Sequence, residues 1–501
     1  MHALIHTIAF KGIEVQPVSV EVQISGAVPN FVLVGLAEKA VSESKERVRA
    51  ALNSMGLSLP RKRITVNLAP ADMIKEGAHF DLPIAIALLC AMEILPTEEL
   101  EKYVILGELG LNGKIAPVPG VLPTALFAKK QGKGLICPKA QGSEALWSDN
   151  DDILASDSLG DIIRHFTTMM SIARPVYKEI PRTAIPLDLK DIKGQETAKR
   201  ALEIAAAGGH NMLMIGPPGS GKSMLASRLP GLLPPMTAQE ILEVSMIYSV
   251  AGLLRDGHLI TERPFRDPHH SASMPALIGG SIKAKPGEVS LAHRGVLFLD
   301  ELPEFQRATL EALRQPLETG NVTIARANMH VSYPARFQLI AAMNPCKCGY
   351  FGKPGHECSR APKCAEEYQS KISGPMMDRI DIHVDVPAVL PLQLTKLPDG
   401  ESSAVVAKRI AKAMEMQTER FKNTPILRNA EADGTLLEEI VPLDDAGKQI
   451  MIKAVEKFNL SARGYHRILR VARTIADLAD SETVKSYHIS EALGFRRMQY
   501  K

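Results

Sequence analysis

A glycine-rich run placed directly behind an apolar segment constrains the middle of this chain more than any other feature. Gly216, Pro217, Pro218, Gly219, Ser220, Gly221, Lys222 and Ser223 spell a complete G-x-x-x-x-G-K-S pattern, and the preceding residues 211–215 read as a buried strand. Strand, glycine loop and helix in this order make the phosphate site of an α/β sheet. Backbone N–H groups turn inward, the lysine reaches the β and γ oxygens, and the serine hydroxyl meets Mg²⁺. The run therefore predicts a nucleoside triphosphate and Mg²⁺ as cofactors.

Two further strands carry the expected partners. Residues 295–299 are apolar and end on Asp300 and Glu301. A buried parallel strand reads as a continuous hydrophobic run, and ligands gather at its C-terminal end. Asp300 is expected to hold Mg²⁺ and Glu301 to polarise the attacking water. A third strand, 337–343, ends on Asn344, whose amide suits a contact with that water or the γ-phosphate. Further on, Arg379 stands beside Asp378 and Asp381 at what reads as a helix end. A planar guanidinium there suits an arginine finger reaching a neighbouring subunit, with a surface ion pair to either acid as the plainer alternative.

The phosphate loop, the segment 286–305 around Asp300 and Glu301, the asparagine strand and the Asp378–Asp381 run together resemble the magnesium-chelatase-like branch of the AAA+ ATPases. Within that branch the whole length resembles the ComM/YifB family. The resemblance implies a ring, usually hexameric, that hydrolyses ATP at subunit interfaces and drives DNA, migrating branches during natural transformation. Two other classes stay open: a chelatase-like remodeller acting on a protein partner, and a protease or inert ring. The chain lacks the Asp-x-Ser-x-Ser pattern of the partner chelatase subunit.

Composition adds limits rather than identity. With 59 basic and 56 acidic residues the net charge is +3, so any DNA contact must be a local basic stripe. The first residues lack the charged start and apolar core of a secretory signal. The longest apolar stretch, 82–95, is too short to span a bilayer and contains Glu93. Six cysteines in 501 residues do not suggest a disulfide scaffold. A cytoplasmic protein without membrane contact is the expectation.

Prolines punctuate the chain at Pro175, Pro181 and Pro186, and again at Pro387, Pro391 and Pro398. Three domains are expected, 1–170, 187–390 and 401–501, joined by linkers 171–186 and 391–400. In the first, 63–68 alternates like a half-buried strand and 41–55 has helical spacing. Residues 106–130 resemble the proteolytic domain of Lon, whose chemistry needs a serine nucleophile activated by a lysine. The segment 75–82, where that fold carries its serine, has none, and Leu122 falls at the lysine position. An α/β shell without peptidase activity is expected, with His79 a relic polar group or a solvated loop residue.

Cys346, Cys348, Cys358 and Cys364 fall within one short insertion rich in glycine and proline. Four thiolates around Zn²⁺ would fold so small a loop outright. The family pattern has two C-x-C pairs; here the second is widened to C-x₅-C, with His356 a substitute ligand. Residues 320–334 read as two short strands with a polar turn at 326–328, the place of the pore-facing hairpin in this branch. Arg326 and His330 there, with Arg266 in a second insertion, 246–273, that also carries Arg255, Arg263, His269 and His270, are the candidate DNA contacts. The C-terminal part reads as a helical lid. Arg463, Arg467, Arg470 and Arg473 share one helix face. By resemblance Arg463 is the sensor-2 arginine reaching the γ-phosphate from the lid, with Arg467 the runner-up.

Overall fold

The computed structural model describes residues 2–168, 170–177, 187–254, 256–280, 284–326, 329–349, 351, 358, 360–389, 400–458 and 460–496. Pro181, Pro186, Arg255, His356, Pro391 and Pro398 lie outside them.

The N-terminal part is a mixed seven-stranded sheet. In chain order its strands are β1 (His2–Lys11), β2 (Glu14–Ser25), β3 (Asn30–Val34), β4 (Arg63–Ala69), β5 (Tyr103–Ile105), β6 (Gly134–Pro138) and β7 (Ile153–Ser156). They lie side by side as β3-β4-β2-β1-β5-β6-β7. β4 has the strict alternation expected of residues 63–68, with Ile64, Val66 and Leu68 buried. Helix α1 (Asp81–Ala91) is buried along its whole length, which is why its sequence is apolar all round. Helix α2 (Val121–Lys130) packs on the other face with β5 and β6. His79 corrects one expectation: it is 5% exposed, wedged between Phe10 and Phe80, with Nε2 3.0 Å from the Ile8 carbonyl, so it is no solvated loop residue.

The second sheet is all parallel. Its strands are β8 (Met212–Ile215), β9 (Phe265–Arg266), β10 (Val296–Leu299), β13 (Gln338–Met343) and β14 (Ile382–Asp385), and β11 (Asn321–Arg326) and β12 (Met329–Pro334) form a separate antiparallel hairpin. Spatial order is β9-β10-β13-β8-β14, so the strand leading into the glycine loop lies between the asparagine strand and the last one. The pleat divides the apolar runs between two cores. Met212, Met214, Val296, Phe298, Ile340 and Ala342 face helices α3 (Glu196–Gly208) and α4 (Lys222–Leu232). Leu213, Ile215, Leu297, Leu299, Leu339 and Ala341 face the hairpin and the segment 302–317.

The C-terminal helices α7 (Ser403–Arg420) and α8 (Ala462–Leu478) bury Ile410, Ala413, Ile468, Val471 and Ile475 in the first of those cores. Ser461 caps α8 by accepting from Gly464 N at 3.1 Å. The N-terminal sheet is joined to the parallel one through helix α5 (Ala238–Ala251). Glu144, 2% exposed, accepts from Ser249 Oγ at 2.5 Å and from Leu122 N at 3.0 Å. Trp147 Nε1 donates to the Gly257 carbonyl at 3.0 Å.

Candidate functional site

The glycine loop leaves β8 at its C-terminal end. Gly216 N donates to the Met343 carbonyl at 3.2 Å, and a Cβ at 216 would lie 2.1 Å from the Val386 carbonyl, so only glycine fits. Gly219 and Gly221 take φ of +73° and +92° and face open space, the cradle a polyphosphate needs. Ser220 Oγ is buried without a hydrogen-bond partner. Lys222 opens α4 and turns its ammonium back onto the loop, donating to the Gly216 and Pro217 carbonyls at 2.8 and 2.9 Å. Asn344 Oδ1 lies 3.4 Å from the same nitrogen. Burial pulls the Lys222 pKa below its ordinary value, and the charges of Asp300 and Glu301 oppose that.

Ser223 Oγ donates to Asp300 Oδ2 at 3.0 Å, so hydroxyl and carboxylate converge on one point beside the loop. That pair is the donor set a Mg²⁺ ion takes, hard oxygens with room for water and phosphate. Glu301 sits next to it in the left-handed region, φ +52°, with its side chain half exposed. Its carboxylate is met by His270 Nδ1 at 3.2 Å from Oε2. His270, its ring tilted against that of His269 at 4.0 Å between centroids, follows the edge strand β9 and reaches the end of β10. The two-residue strand that brings it there leaves no periodicity to read.

Arg379 and Arg463 lie elsewhere. Both line one broad cavity with Asn211, Gly295, Gln338 and Asp381, the residues at the N-terminal ends of β8, β10, β13 and β14. That is the edge of the sheet opposite the glycine loop. Arg463 is exposed and stands far from its own chain's Lys222, which corrects the expectation that it reaches the γ-phosphate of the same subunit. Arg379 pairs with Glu318 and donates to the Pro375 carbonyl at 2.6 Å, rather than pairing with Asp378 or Asp381. Asp378 takes Arg467 at 2.8 Å, and Asp381 takes His210 at 3.1 Å. The runner-up Arg467 is therefore a buried structural residue. Arg473, 1% exposed, holds Asp477 and the Ser481 carbonyl, and Arg470 lies 3.2 Å from Asp433.

The sulfur atoms of Cys346, Cys348, Cys358 and Cys364 all lie within 4.8 Å of one another. Tetrahedral Zn–S bonds of about 2.3 Å put sulfurs about 3.8 Å apart, so the cluster has the size a zinc ion requires. It sits against the nucleotide loop: Cys346 follows Asn344 by two residues, and a Cβ on Gly349 would come 2.6 Å from Pro218 Cδ.

On the hairpin, Ala325 pairs with His330 and Arg326 with Met329. His330 is exposed; the side chain of Arg326 lies outside what the structure describes. Arg266 is not a free cation. It is bound by Glu288 through Nε at 2.5 Å and Nη2 at 2.8 Å, and Arg263 is turned inward onto the Pro234 and Arg294 carbonyls. Those two expected contacts are thus structural, because partners 22 and 31 residues away claim them.

Three family models match along the chain: subunit ChlI of magnesium chelatase at 20–141, magnesium chelatase subunit ChlI at 188–394 and its C-terminal domain at 400–496. Competence protein ComM of Haemophilus influenzae is 44% identical over 99% of this chain and 97% of its own. The chain belongs to the ComM/YifB family of magnesium-chelatase-like AAA+ proteins. The uncharacterized YifB of Escherichia coli is 42% identical over 99% of this chain and 97% of its own. The 38 kDa subunit of the magnesium chelatase of Rhodobacter capsulatus is 24% identical over 60% of this chain and 83% of its own. Among the described residues no helix is long and apolar enough to cross a membrane.

Proposed function

We propose that this chain is the subunit of a ring, hexameric by family resemblance, that hydrolyses ATP between neighbours and uses the cycle to drive DNA through its centre. One observation carries the reading: the residues suited to ATP hydrolysis are split between opposite edges of a single sheet. Lys222, Ser223, Asp300, Glu301 and Asn344 gather at the C-terminal edge, while Arg379 and Arg463 wait at the other. Head-to-tail packing brings the arginine edge of one subunit to the loop edge of the next.

In this reading the loop N–H groups and Lys222 bind the phosphates, and Ser223 and Asp300 would hold Mg²⁺, which would supply positive charge to the phosphate oxygens. Glu301 takes a proton from the attacking water and Asn344 positions it. Arg379 and Arg463 enter from the neighbour and meet the charge that develops on the γ-phosphoryl group. The hairpin 321–334, continuous with β13 and hence with Asn344, carries the DNA contact, with Arg326 and His330 on phosphates. The N-terminal domain is a Lon-like shell without a Ser/Lys pair, and the four cysteines hold a structural zinc. The name of the Haemophilus relative, a competence protein, supports a place in competence.

The testing experiment is the ATPase rate with and without single-stranded, duplex and branched DNA over a salt series. Stimulation that fades as salt rises supports a motor on the phosphate backbone. Hydrolysis indifferent to DNA at every salt would move the reading to a remodelling ATPase acting on a protein, which the likeness to the magnesium-chelatase subunit favours as runner-up.

A further inference from the structure

His210 is fully buried just ahead of β8, the strand whose other end carries the glycine loop. The extended chain from His210 to Gly216 covers roughly 20 Å, so this histidine cannot touch a nucleotide held by its own loop. Both ring nitrogens are engaged. Nδ1 is hydrogen-bonded to Asp381 Oδ2 at 3.1 Å and Nε2 to Thr474 Oγ1 at 2.8 Å. Thr474 lies on α8 and is itself buried, and Asn429 Nδ2 donates to the same hydroxyl at 3.0 Å. A Cβ at Gly208 would come 2.3 Å from His210 Nε2 and 2.5 Å from Thr474 Oγ1, so α3 closes over the pair at a glycine.

The turn that holds Asp381 also holds Arg379. Ser373 caps the short helix α6 (Gly374–Met377), and Asp378, Arg379 and Asp381 follow it directly. Asp378 is tied to α8 as well, through Arg467 at 2.8 Å. Asn211 fixes the same turn from the sheet, its Nδ2 donating to the Arg379 carbonyl at 2.9 Å and its own carbonyl accepting from Asp381 N at 3.0 Å. Helix α8 is therefore pinned to one four-residue segment at Arg467 and at Thr474, points about 10 Å apart along its axis. Two pins fix the direction of a helix. With one, the helix is free to pivot on its apolar face, whose contacts have no direction. Arg463 lies about 6 Å beyond the first pin, so a shift of about 1 Å at Thr474 moves it by about 0.6 Å. A contact that must be held to about 0.5 Å is lost by that much.

We propose that His210 is a positioning residue for hydrolysis in the neighbouring subunit: it pins α8 to the turn 378–381, so that Arg379 and Arg463 meet the neighbour's phosphates as one rigid unit. The inference rests on the reading that both arginines act across the interface. His210 touches no substrate; it acts by where it holds the lid helix.

The experiment is steady-state ATPase and equilibrium ATP binding of the full-length protein for wild type, His210→Ala and Thr474→Val, each alone and mixed with Lys222→Ala or with Arg463→Ala. Thr474→Val keeps the shape of the side chain and removes the pin from the other side. Both variants should bind ATP as wild type does and lose about 10- to 100-fold in kcat. Mixed with Lys222→Ala, which keeps intact arginines, His210→Ala should recover to about a quarter of the wild-type rate; mixed with Arg463→Ala it should recover nothing. A wild-type kcat in either variant overturns the proposal. So does a loss of activity that Lys222→Ala does not restore, since the damage then reaches beyond the arginine edge. Failure of Arg463→Ala and Lys222→Ala to complement each other would instead remove the cross-interface reading on which the pin depends.

Discussion

Arg463 and Arg467 lie one helical turn apart on α8, and the structure assigns them opposite consequences. Arg467 is 5% exposed, donates to Asp378 at 2.8 Å and lies within 3.5 Å of the Met377 and Ile380 carbonyls. Its loss removes one charge-assisted hydrogen bond and leaves Asp378, itself partly exposed, to be rehydrated. The cost is about 2–3 kcal/mol of stability. Arg463 is exposed, so Arg463→Ala should shift stability by less than about 0.5 kcal/mol. In the proposed ring its effect falls on the neighbour's phosphates, where an arginine is worth about a thousandfold or more in turnover. Mixing two inactive proteins tests this. Arg463→Ala keeps a working glycine loop and Lys222→Ala keeps a working arginine. In random mixed rings about a quarter of interfaces pair the two intact halves, so ATPase activity should reappear on mixing. A same-subunit arginine cannot be complemented this way: activity that stays at the level of the separate variants would refute the placement of Arg463 across the interface. Equal urea midpoints for Arg463→Ala and Arg467→Ala would refute the division of labour along the helix.

Other outcomes follow from the same geometry. Lys222→Ala should lose ATP affinity, whereas Glu301→Gln should bind ATP as wild type does and stop hydrolysing it, measured by equilibrium binding and phosphate release; equal loss of affinity would overturn both roles. Ser249→Ala removes one of the hydrogen bonds to the buried Glu144 carboxylate at the junction of the two sheets, leaving those from Leu122 N and Gln141, and should cost about 1.5–3 kcal/mol in denaturant unfolding. Burial holds His79 and His293 at a pKa of about 4, below their ordinary 6.5. The unfolded chain takes up those protons first, so stability is full above about pH 6.5 and falls as pH drops toward 4, by about 3 kcal/mol per histidine. Thermal melts across that window should show the slope, and His79→Gln should flatten it. Metal analysis of purified protein should find about one zinc per chain, lost in Cys348→Ser with a lower melting temperature.

The glycine loop, Asp300, Glu301 and Asn344 were legible because each is a local pattern: an apolar run that ends on the residue proposed for the chemistry. The hairpin was legible for the same reason, its two strands alternating about a polar turn. What local pattern withheld was the far partner of each charge. Periodicity put four arginines on one face of α8, yet Asp378, 89 residues away, buries one of them. Arg266 read as a free cation because nothing near it announces Glu288. Nor does helical spacing say which edge of a sheet a helix end will reach, and Arg463 was misplaced for that reason. His79 looked like a loop residue because its aromatic neighbour Phe10 comes from the first strand of the chain.

The contact of Glu144 and Trp147 with the end of α5 makes the N-terminal domain a fixed extension of the engine. Helix α5 leads into the turn at Gly257 and on to β9 and His270, so in the proposed motor a tilt of that helix would carry the seven-stranded sheet with it. Small angular steps near the nucleotide become long arcs at the sheet's outer strands. In the proposed ring that domain would serve as a lever arm, and its value there would be length and stiffness.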